Sequence, residues 1–506
     1  MGRTQRFVTK LARRFAREDG VALVMSLSML TVLGIVGATT VLYSTQNAGA
    51  ASRSKQDGAS YALAEAGVNN AAAALGAPGV NLLNPNALPQ TTTPYDGGSV
   101  TWWGTLNEAT GVWTLSAVGR TRNPTGPAVA DVRRTVTATV QVLPAAAQPL
   151  NNPAWNYIYS RAKGGTCDMT ISNSVQVASP LYVSGSLCLQ NTATIVKGPL
   201  QVNGRLTMMQ TANAVGSAAA PVSEAHVAGG CKWSSGVLHT PCLGGAGTSG
   251  ADNVWATKLD SAAGTIPAPT PDFNYWYLNA SPGPYAPCRA VSGTPPAFDN
   301  DALGTPDPAK RNNSMNALSA VDLTPPASYT CKTPLGELSW DASSRMLTVN
   351  GTIFIDGSAK VGNSSVNAYT GMGTLYLSGT MYMKSAKLCA VRTADGAGCT
   401  TDGWNPNERL LVIVANGTGT AGGAAGQVLP GDGMQLVSSH LQAAVYTTYV
   451  IDIDTSSKVD GPLNASTVKL GQSSSSTFPA LSFVPVGTPG ITPVQPRLSA
   501  VGSFSG

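Results

Sequence analysis

Hydrophobic and polar positions along this chain follow three successive patterns. From Val21 to Tyr43 the chain holds only apolar, Gly, Ser and Thr side chains, with Tyr43 closing the run. Such a stretch is too long for a buried strand, and at 1.5 Å per residue its helix spans about 34 Å, enough to cross a bilayer's hydrocarbon. Alanine-rich sequence continues through Tyr61, Leu63, Ala66, Val68 and Leu75 without proline before Pro78, so the spacing predicts one helix over 21–75, ended by Gly76 and Pro78. The second pattern is alternation: Val136, Ala138, Val140 and Val142 interleave with Thr135, Thr137, Thr139 and Gln141. With Ser99–Trp103 and Val112–Val118, and turns at Asn107–Gly111 and Asn123–Pro127, this predicts a three-stranded antiparallel meander with one apolar face. The outer half of the long helix is the nearest cover for that face.

The third pattern is a repeat. Ser179-Pro-Leu-Tyr-Val-Ser-Gly185 recurs in outline as Gly198-Pro-Leu-Gln-Val-Asn-Gly204. Gly351-Thr-Ile-Phe-Ile-Asp-Gly357 recurs, at a slightly longer interval, as Gly373-Thr-Leu-Tyr-Leu-Ser-Gly379, and Gly461-Pro-Leu-Asn-Ala465 is a partial fifth copy. A short strand recurring at such a period, with glycine for a tight corner, is the pattern of a β-solenoid whose coils stack their apolar residues inward. Leu181, Val183, Leu200, Val202, Ile353, Ile355, Leu375 and Leu377 are the expected inward positions. A sandwich with coincidental similarity is the alternative.

Charge then fixes the topology. Six cations (Arg3, Arg6, Lys10, Arg13, Arg14, Arg17) precede Glu18-Asp19-Gly20, and no charge follows until Arg53. The cation excess places the amino end in the cytoplasm and the bulk of the chain outside. A secretory signal peptide is the competing reading, but its apolar region would be shorter and would end at a small-residue cleavage site. The formal net charge of +5 is mostly the leader's, and no Lys/Arg run with interleaved aromatics follows it, so nucleic acid is not an expected partner. Only 11% of residues are charged. The eight cysteines (Cys167, Cys188, Cys231, Cys242, Cys288, Cys331, Cys389, Cys399) in an exported chain predict disulfides. Near-neighbour pairs 167–188, 231–242, 288–331 and 389–399 are the expected connectivity, with Cys167 and Cys188 about one coil apart. A zinc site from Cys231, His226, His239 and Cys242 is arithmetically open but matches no familiar spacing. No metal or cofactor is expected.

Basic leader, junction glycine, uncharged helix and Ala64-Glu65-Ala66-Gly67 together resemble the N-terminus of type IV pilins, in particular PilX-type minor pilins. The resemblance covers about 75 of 506 residues. It implies cleavage by a prepilin peptidase after Gly20, exposing Val21, and a helix that anchors the subunit or packs it among other pilins or pseudopilins through Val21, Leu23, Leu27, Leu30, Leu33, Ile35, Val41 and Tyr43. Helix on antiparallel sheet is also the pilin head architecture. Most pilins carry glutamate at the fifth mature position, a residue tied to filament insertion; Met25 stands there in this chain, which implies cleavage with minor or no incorporation. The repeats, over 165–206 and 346–470, resemble bactofilin-like and related extracellular β-helices.

The expected fold is therefore an α+β pilin-like N-terminal part, a long transmembrane helix plus a small antiparallel sheet, followed by an all-β right-handed parallel β-solenoid. Its expected divisions are a basic leader (1–20), the transmembrane and extended helix (21–75), the pilin-like head sheet (76–143), a linker (144–164), a first solenoid part (165–210), a disulfide-containing irregular insertion packed on the solenoid's flank (211–345), a second solenoid part (346–485) and a flexible tail (486–506). Candidate carboxylates are Asp299, Asp301 and Asp307, Asp432 between two glycines, and Asp452 with Asp454, which alternate with Ile451 and Ile453 on one strand. The pair suits calcium or acid–base chemistry; the competing reading is a solvated outer face. No nucleophile elbow, Walker loop or His-Glu-x-x-His occurs. Two functions follow: a non-enzymatic, membrane-anchored surface protein displaying its solenoid for assembly or adhesion, or a membrane-anchored polysaccharide-active enzyme. Three or more acids gathered in one solenoid cleft would speak for the enzyme.

Overall fold

A computed structural model of the chain describes residues 4–505, apart from 78–79, 81, 108–109, 125–128, 144–146, 247–249, 281–288, 291–319, 334, 356, 363–364, 420–427, 472–474, 492–496 and 503–504. Helix α1 spans Thr4–Leu75, so it begins within the leader and not at Val21, and is about 108 Å long. Its outer end packs on a sheet of β1 (Thr91–Tyr95), β2 (Gly98–Asn107), β3 (Val112–Thr121) and β4 (Val132–Leu143), joined in that order. The buried stripe of α1 is Ser60, Ala64, Val68, Ala71 and Leu75, against Val100, Leu115, Ala117, Val136 and Ala138. Tyr61, one of the apolar residues that continue the helix in sequence, is 39% exposed. The helix turns its small residues to the sheet because the two backbones approach closely: a Cβ on Gly67 would lie 2.7 Å from Ala117 Cβ, and one on Gly119 2.7 Å from Ala64 N. Those two glycines set the depth at which the helix sits.

The solenoid coils have three faces. One is an eleven-stranded sheet containing, from end to end, Leu238–His239, Cys231–Trp233, Leu206–Met208, Leu187–Leu189, Met169–Ile171, Thr467–Leu470, Val450–Asp454, Asp432–Val437, Met381–Lys384, Ala359–Val361 and Val321–Asp322. All neighbours are parallel except the terminal hairpin, which closes one end. The chain therefore enters the stack at its middle. Its first half climbs from Ile158 to Asp260; a strap over 261–280 then runs back to Phe354 and Tyr376 near the opposite end; its second half climbs from Val321 until the last coil lies on the first. At that seam Leu463–Ala465 pairs with Ile158–Ser160, Lys469 and Leu470 pair with Thr170 and Ile171, and Ser475–Ser476 pairs with Gln176–Val177. An antiparallel meander of Tyr329–Thr333, Gly336–Asp341 and Met346–Ile355 covers the far end. The last of these strands serves two faces because it bends at Gly351, whose φ of 65° favours glycine.

All eight expected inward residues, from Leu181 to Leu377, are 0% exposed and belong to one continuous core. Each contributes about 1.5–3 kcal/mol by leaving water. The glycines that close the template in the first half act differently from expectation. Gly185, Gly204 and Gly229 stack directly, Gly204 N donating to Gly185 O at 2.8 Å and Gly229 N to Gly204 O at 2.8 Å. A Cβ on Gly204 would sit 2.6 Å from the carbonyl carbon of Gly185. Close approach between coils, and not a tight bend, excludes side chains there.

Three expected boundaries move. The insertion predicted over 211–345 is solenoid up to Asp260: Ala214–Val215, Val222–Val227, Cys231–Trp233 and Ala256–Asp260 continue the coils. The repeat is hidden in the sequence because the step from Leu200 to its partner Ala225 is longer than the step from Leu181 to Leu200 in the preceding coil. The linker's end already belongs to the first coil, since Ile158–Ser160 pairs with Leu181–Val183. The tail is structural: Thr352 Oγ1 donates to Val486 O at 2.7 Å, Trp155 Nε1 to Pro489 O at 2.9 Å, Arg497–Leu498 adds a strand beside β4, and Thr137 and Ser505 exchange backbone bonds at 2.8 and 3.0 Å.

Candidate functional site

Two features invite a functional reading: the free half of α1 and a groove on the solenoid. Val21, Leu23, Leu27, Leu30, Leu33, Ile35, Val41 and Tyr43 are 58–71% exposed, on a helix long and apolar enough to cross a membrane. The helix passes through Gly20 and Val21 without a break. Its hydroxyls are satisfied internally: Ser28 donates to Val24 O at 2.5 Å, Thr39 to Ile35 O at 2.8 Å and Thr40 to Val36 O at 2.6 Å. Such bonds satisfy the serine and threonine hydroxyls within the helix, which suits lipid.

One of the three solenoid faces is hidden under the strap and the C-terminal run. Tyr159 Oη donates to Ile266 O at 2.8 Å, Tyr376 Oη to Gly487 O at 2.7 Å, and α2 (Phe273–Ala280) sets Phe273 and Trp276 against Tyr376, ring centroids 5.3 and 5.8 Å apart. The eleven-stranded face is open. Across its seam lies a groove of about 520 Å³ lined by Asp168, Thr170, Ser172 and Asn173 of the first coil and Asp452, Asp454, Thr467 and Lys469 of the last two. Register brings Gln435, Asp452 and Lys469 side by side. Lys469 Nζ reaches Asp432 Oδ1 at 3.1 Å, and Gln435 Nε2 donates to Asp452 Oδ2 at 3.2 Å.

Asp432 is 1% exposed and its Oδ2 receives no hydrogen bond from the described residues. Burial pushes its carboxyl up to about 6 against the pull of Lys469, and the Asp452 carboxylate adds to the rise. Burial likewise raises Asp452. The expectation of a solvated outer strand is corrected here: Ile451 and Ile453 are fully buried, but Asp452 is only 9% exposed. Two of the groove's carboxylates are already engaged. Asp168 caps a turn, taking Gly165 N and Ser186 N at 2.8 Å each, and Asp454 Oδ1 takes Thr455 N at 2.8 Å. Asp432, Asp452 and Asp454 are legible in the sequence as candidates; Asp168, Gln435 and Lys469 are not, because only coil stacking makes them neighbours. Aligning outward positions coil by coil is the signal that would find them. Asp299, Asp301 and Asp307 lie outside the described residues.

The cysteines and histidines are separately occupied. Disulfides join Cys167 to Cys188, Cys231 to Cys242 and Cys389 to Cys399, with Cα separations of 5.3, 4.9 and 5.1 Å. Cys331 is also oxidised, while Cys288 lies outside the described residues. His226 sits between Asp260 at 2.5 Å and Glu224 at 3.0 Å, and the Asp260 hydrogen bond raises its pKa despite burial. His239 binds Asp252 at 2.8 Å. The four residues of the arithmetical zinc set are thus a disulfide and two separate His–carboxylate pairs, which corrects that reading. Among the described residues no group of three or more His, Cys, Asp or Glu side chains has metal-binding geometry.

No family model matches the chain, and no curated protein matches it. Among solved structures it is similar to the competence-associated pilin ComZ from Thermus thermophilus, at 12% identity and a TM-score of 0.33, covering 89% of this chain and 97% of that one.

Proposed function

We propose that this chain is a membrane-anchored structural protein of the type IV pilus class, a minor pilin or pseudopilin of PilX type, with its C-terminal bulk outside the cytoplasmic membrane. The observation that carries the reading is the division of α1 after its leader: an uncharged, exposed stretch from Val21 to Tyr43 continuous with an outer end bedded on a small antiparallel sheet. A secreted protein has no use for that continuity, whereas an anchored subunit needs the head rigidly joined to its span. In this reading prepilin peptidase removes residues 1–20, Val21 leads the mature chain, and Met25 limits filament incorporation. The solenoid, which we take to be right-handed like other parallel crossovers, is displayed for assembly or adhesion, with other pilins and surface polysaccharide as partners and without catalysis. N-terminal sequencing of membrane-extracted protein tests it. A mature chain starting at Val21 and co-fractionating with membrane or pili is expected; a start beyond Tyr43 sinks the proposal.

One observation favours the enzymatic alternative. The groove gathers Asp168, Asp452 and Asp454, with Asp432 behind them. Asp168, however, is spent on two backbone amides, so fewer carboxylates are free for chemistry than the count suggests. Release of new reducing ends from surface polysaccharide by wild type but not by Asp452→Asn would establish the alternative.

A further inference from the structure

The basic side chains of the head all stand at one end of it. Between Tyr43 and Arg161 the chain carries Arg53, Lys55, Arg120, Arg122, Arg133 and Arg134 and no other lysine or arginine. Arg53 and Lys55 lie on α1 just before it meets the sheet, where Thr121 Oγ1 donates to Gln56 O at 3.0 Å. Register sets Arg120 opposite Arg133 and Gly119 opposite Arg134, and Gly119 lies against Ser60 of the helix. The four sheet arginines are therefore level with residues 56–60 of α1, at the near end of a contact that runs on to Leu75. All six cations are exposed. Arg134 pairs with Asp57 at 2.5 Å, whereas Lys55, Arg120, Arg122 and Arg133 have no ion-pair partner among the described residues. The carboxylates at this end are Asp57, Asp131 and Asp96 of the β1–β2 turn, so six cations meet three acids. Residues 76–119 and 135–160 contain no lysine or arginine, so the end of the head towards the solenoid has no such surface.

The basic end is the one that faces the span. The helix is unbroken from Val21 to Leu75, so Arg53 stands about 15 Å beyond Tyr43 along a continuous rise. With 21–43 in hydrocarbon, the headgroup layer takes up about 5–8 Å of that distance. The base of the head is then held about one Debye length from the lipid surface at physiological ionic strength, close enough for its charges to be felt. We propose that the base of the head is a lipid-docking surface, on which Arg120, Arg122 and Arg133, with Arg53 and Lys55, engage anionic phospholipid headgroups of the outer leaflet and seat the head on the membrane. This rests on the anchored reading of α1. Lipid is favoured over nucleic acid because the helix holds this surface towards the bilayer, while the flanks open to a large polyanion carry almost no cations.

The test reconstitutes the full chain in nanodiscs of phosphatidylcholine, or of an equal mixture with phosphatidylglycerol, containing lipid with a nitroxide on its headgroup. A fluorophore on Val129→Cys, an exposed position at the same end of the sheet, reports contact through short-range quenching. Quenching is expected to be at least two-fold stronger in the anionic discs. That gain should vanish in high salt and in Arg120→Gln/Arg122→Gln/Arg133→Gln, a change of three exposed side chains that leaves the circular dichroism spectrum unaltered. Equal quenching in the two compositions, or the full gain in the folded triple variant, overturns the proposal. A chain that does not enter either disc fails the anchored reading, and this proposal with it; a chain that enters both and is quenched equally fails this proposal alone. Salt-sensitive binding of duplex DNA by the inserted chain, with no effect of lipid composition, assigns the surface to nucleic acid and overturns it as well.

Discussion

The covered and open faces of the solenoid both turn apolar residues into one shared core and differ in what points outward. On the covered face one outward column reads Phe354, Tyr376, Val414, Tyr446, Asn464, Tyr159, Tyr182. Its aromatics are at most 2% exposed, because the strap and the C-terminal run lie over them. On the open face the matching column reads Lys360, Tyr382, Gln435, Asp452, Lys469, Thr170. A β-coil thus fixes its fold with one set of alternate residues and leaves the other set to decide whether a face becomes core or site. The comparison predicts which substitutions both faces feel and which only one does.

The largest effect belongs to the shared inward set. Ile355→Asp places a carboxylate where Ile355 pairs with Leu377 at 0% exposure, burying an unpaired charge. The expected cost exceeds about 4 kcal/mol, enough to prevent accumulation of folded protein. Near-normal yield and a near-normal unfolding midpoint for this variant would show that the inward stack is not what the two faces share.

Next comes a paired substitution that separates the faces. Tyr376 and Tyr382 hold outward positions on neighbouring faces of consecutive strands, yet Tyr376 is fully buried under α2 and Gly487, while Tyr382 is half-buried on the open face. Tyr376→Ala is expected to cost about 3–5 kcal/mol, as aromatic truncations in cores do, and Tyr382→Ala on the order of 1 kcal/mol. Urea denaturation of both variants measures the difference. Equal losses would mean that the strap rests on the covered face without stabilising it.

The reach of the sequence follows the same division. Inward positions are legible because Leu181–Val183 and Leu200–Val202, or Ile353–Ile355 and Leu375–Leu377, repeat a local pattern at nearly constant spacing. The head and its anchor are legible because alternation in β4 and the absence of charge over 21–52 of α1 are also local. What escapes depends on distant partners. Nothing near Ser475 announces Gln176, so the seam is invisible, and with it the groove that joins Lys469 to Thr170. The tail reads as flexible because Arg497–Leu498 is short; β4, far earlier in the chain, makes it a strand. Gly67 stands out only as part of a motif, and its role, admitting Val100 and Ala117 against the helix, emerges once the sheet is placed.

The smallest effect is also the most specific to the open face. Asp432 titrates near 6 in the folded chain, against about 3.9 for an unperturbed aspartate, because burial disfavours its charge. The folded state therefore holds this proton more tightly than the unfolded state. Its contribution to stability is fully present below about pH 4 and is lost as pH rises to about 6, a change on the order of 3 kcal/mol. Asp432→Asn removes the titration while leaving the half-exposed Lys469 free to hydrate. The variant should match or slightly trail wild type at pH 4 and exceed it by about 2–3 kcal/mol at pH 8, read as the difference between two pH series of denaturation midpoints. No equivalent pH-dependent gain is expected from Tyr376→Phe, whose hydroxyl bonds a carbonyl under the strap at every pH in that range. A difference for Asp432→Asn that stays flat from pH 4 to pH 8 would mean that the carboxylate is hydrated, and the open face would then be a solvated surface of the ordinary kind without a buried acid beneath it.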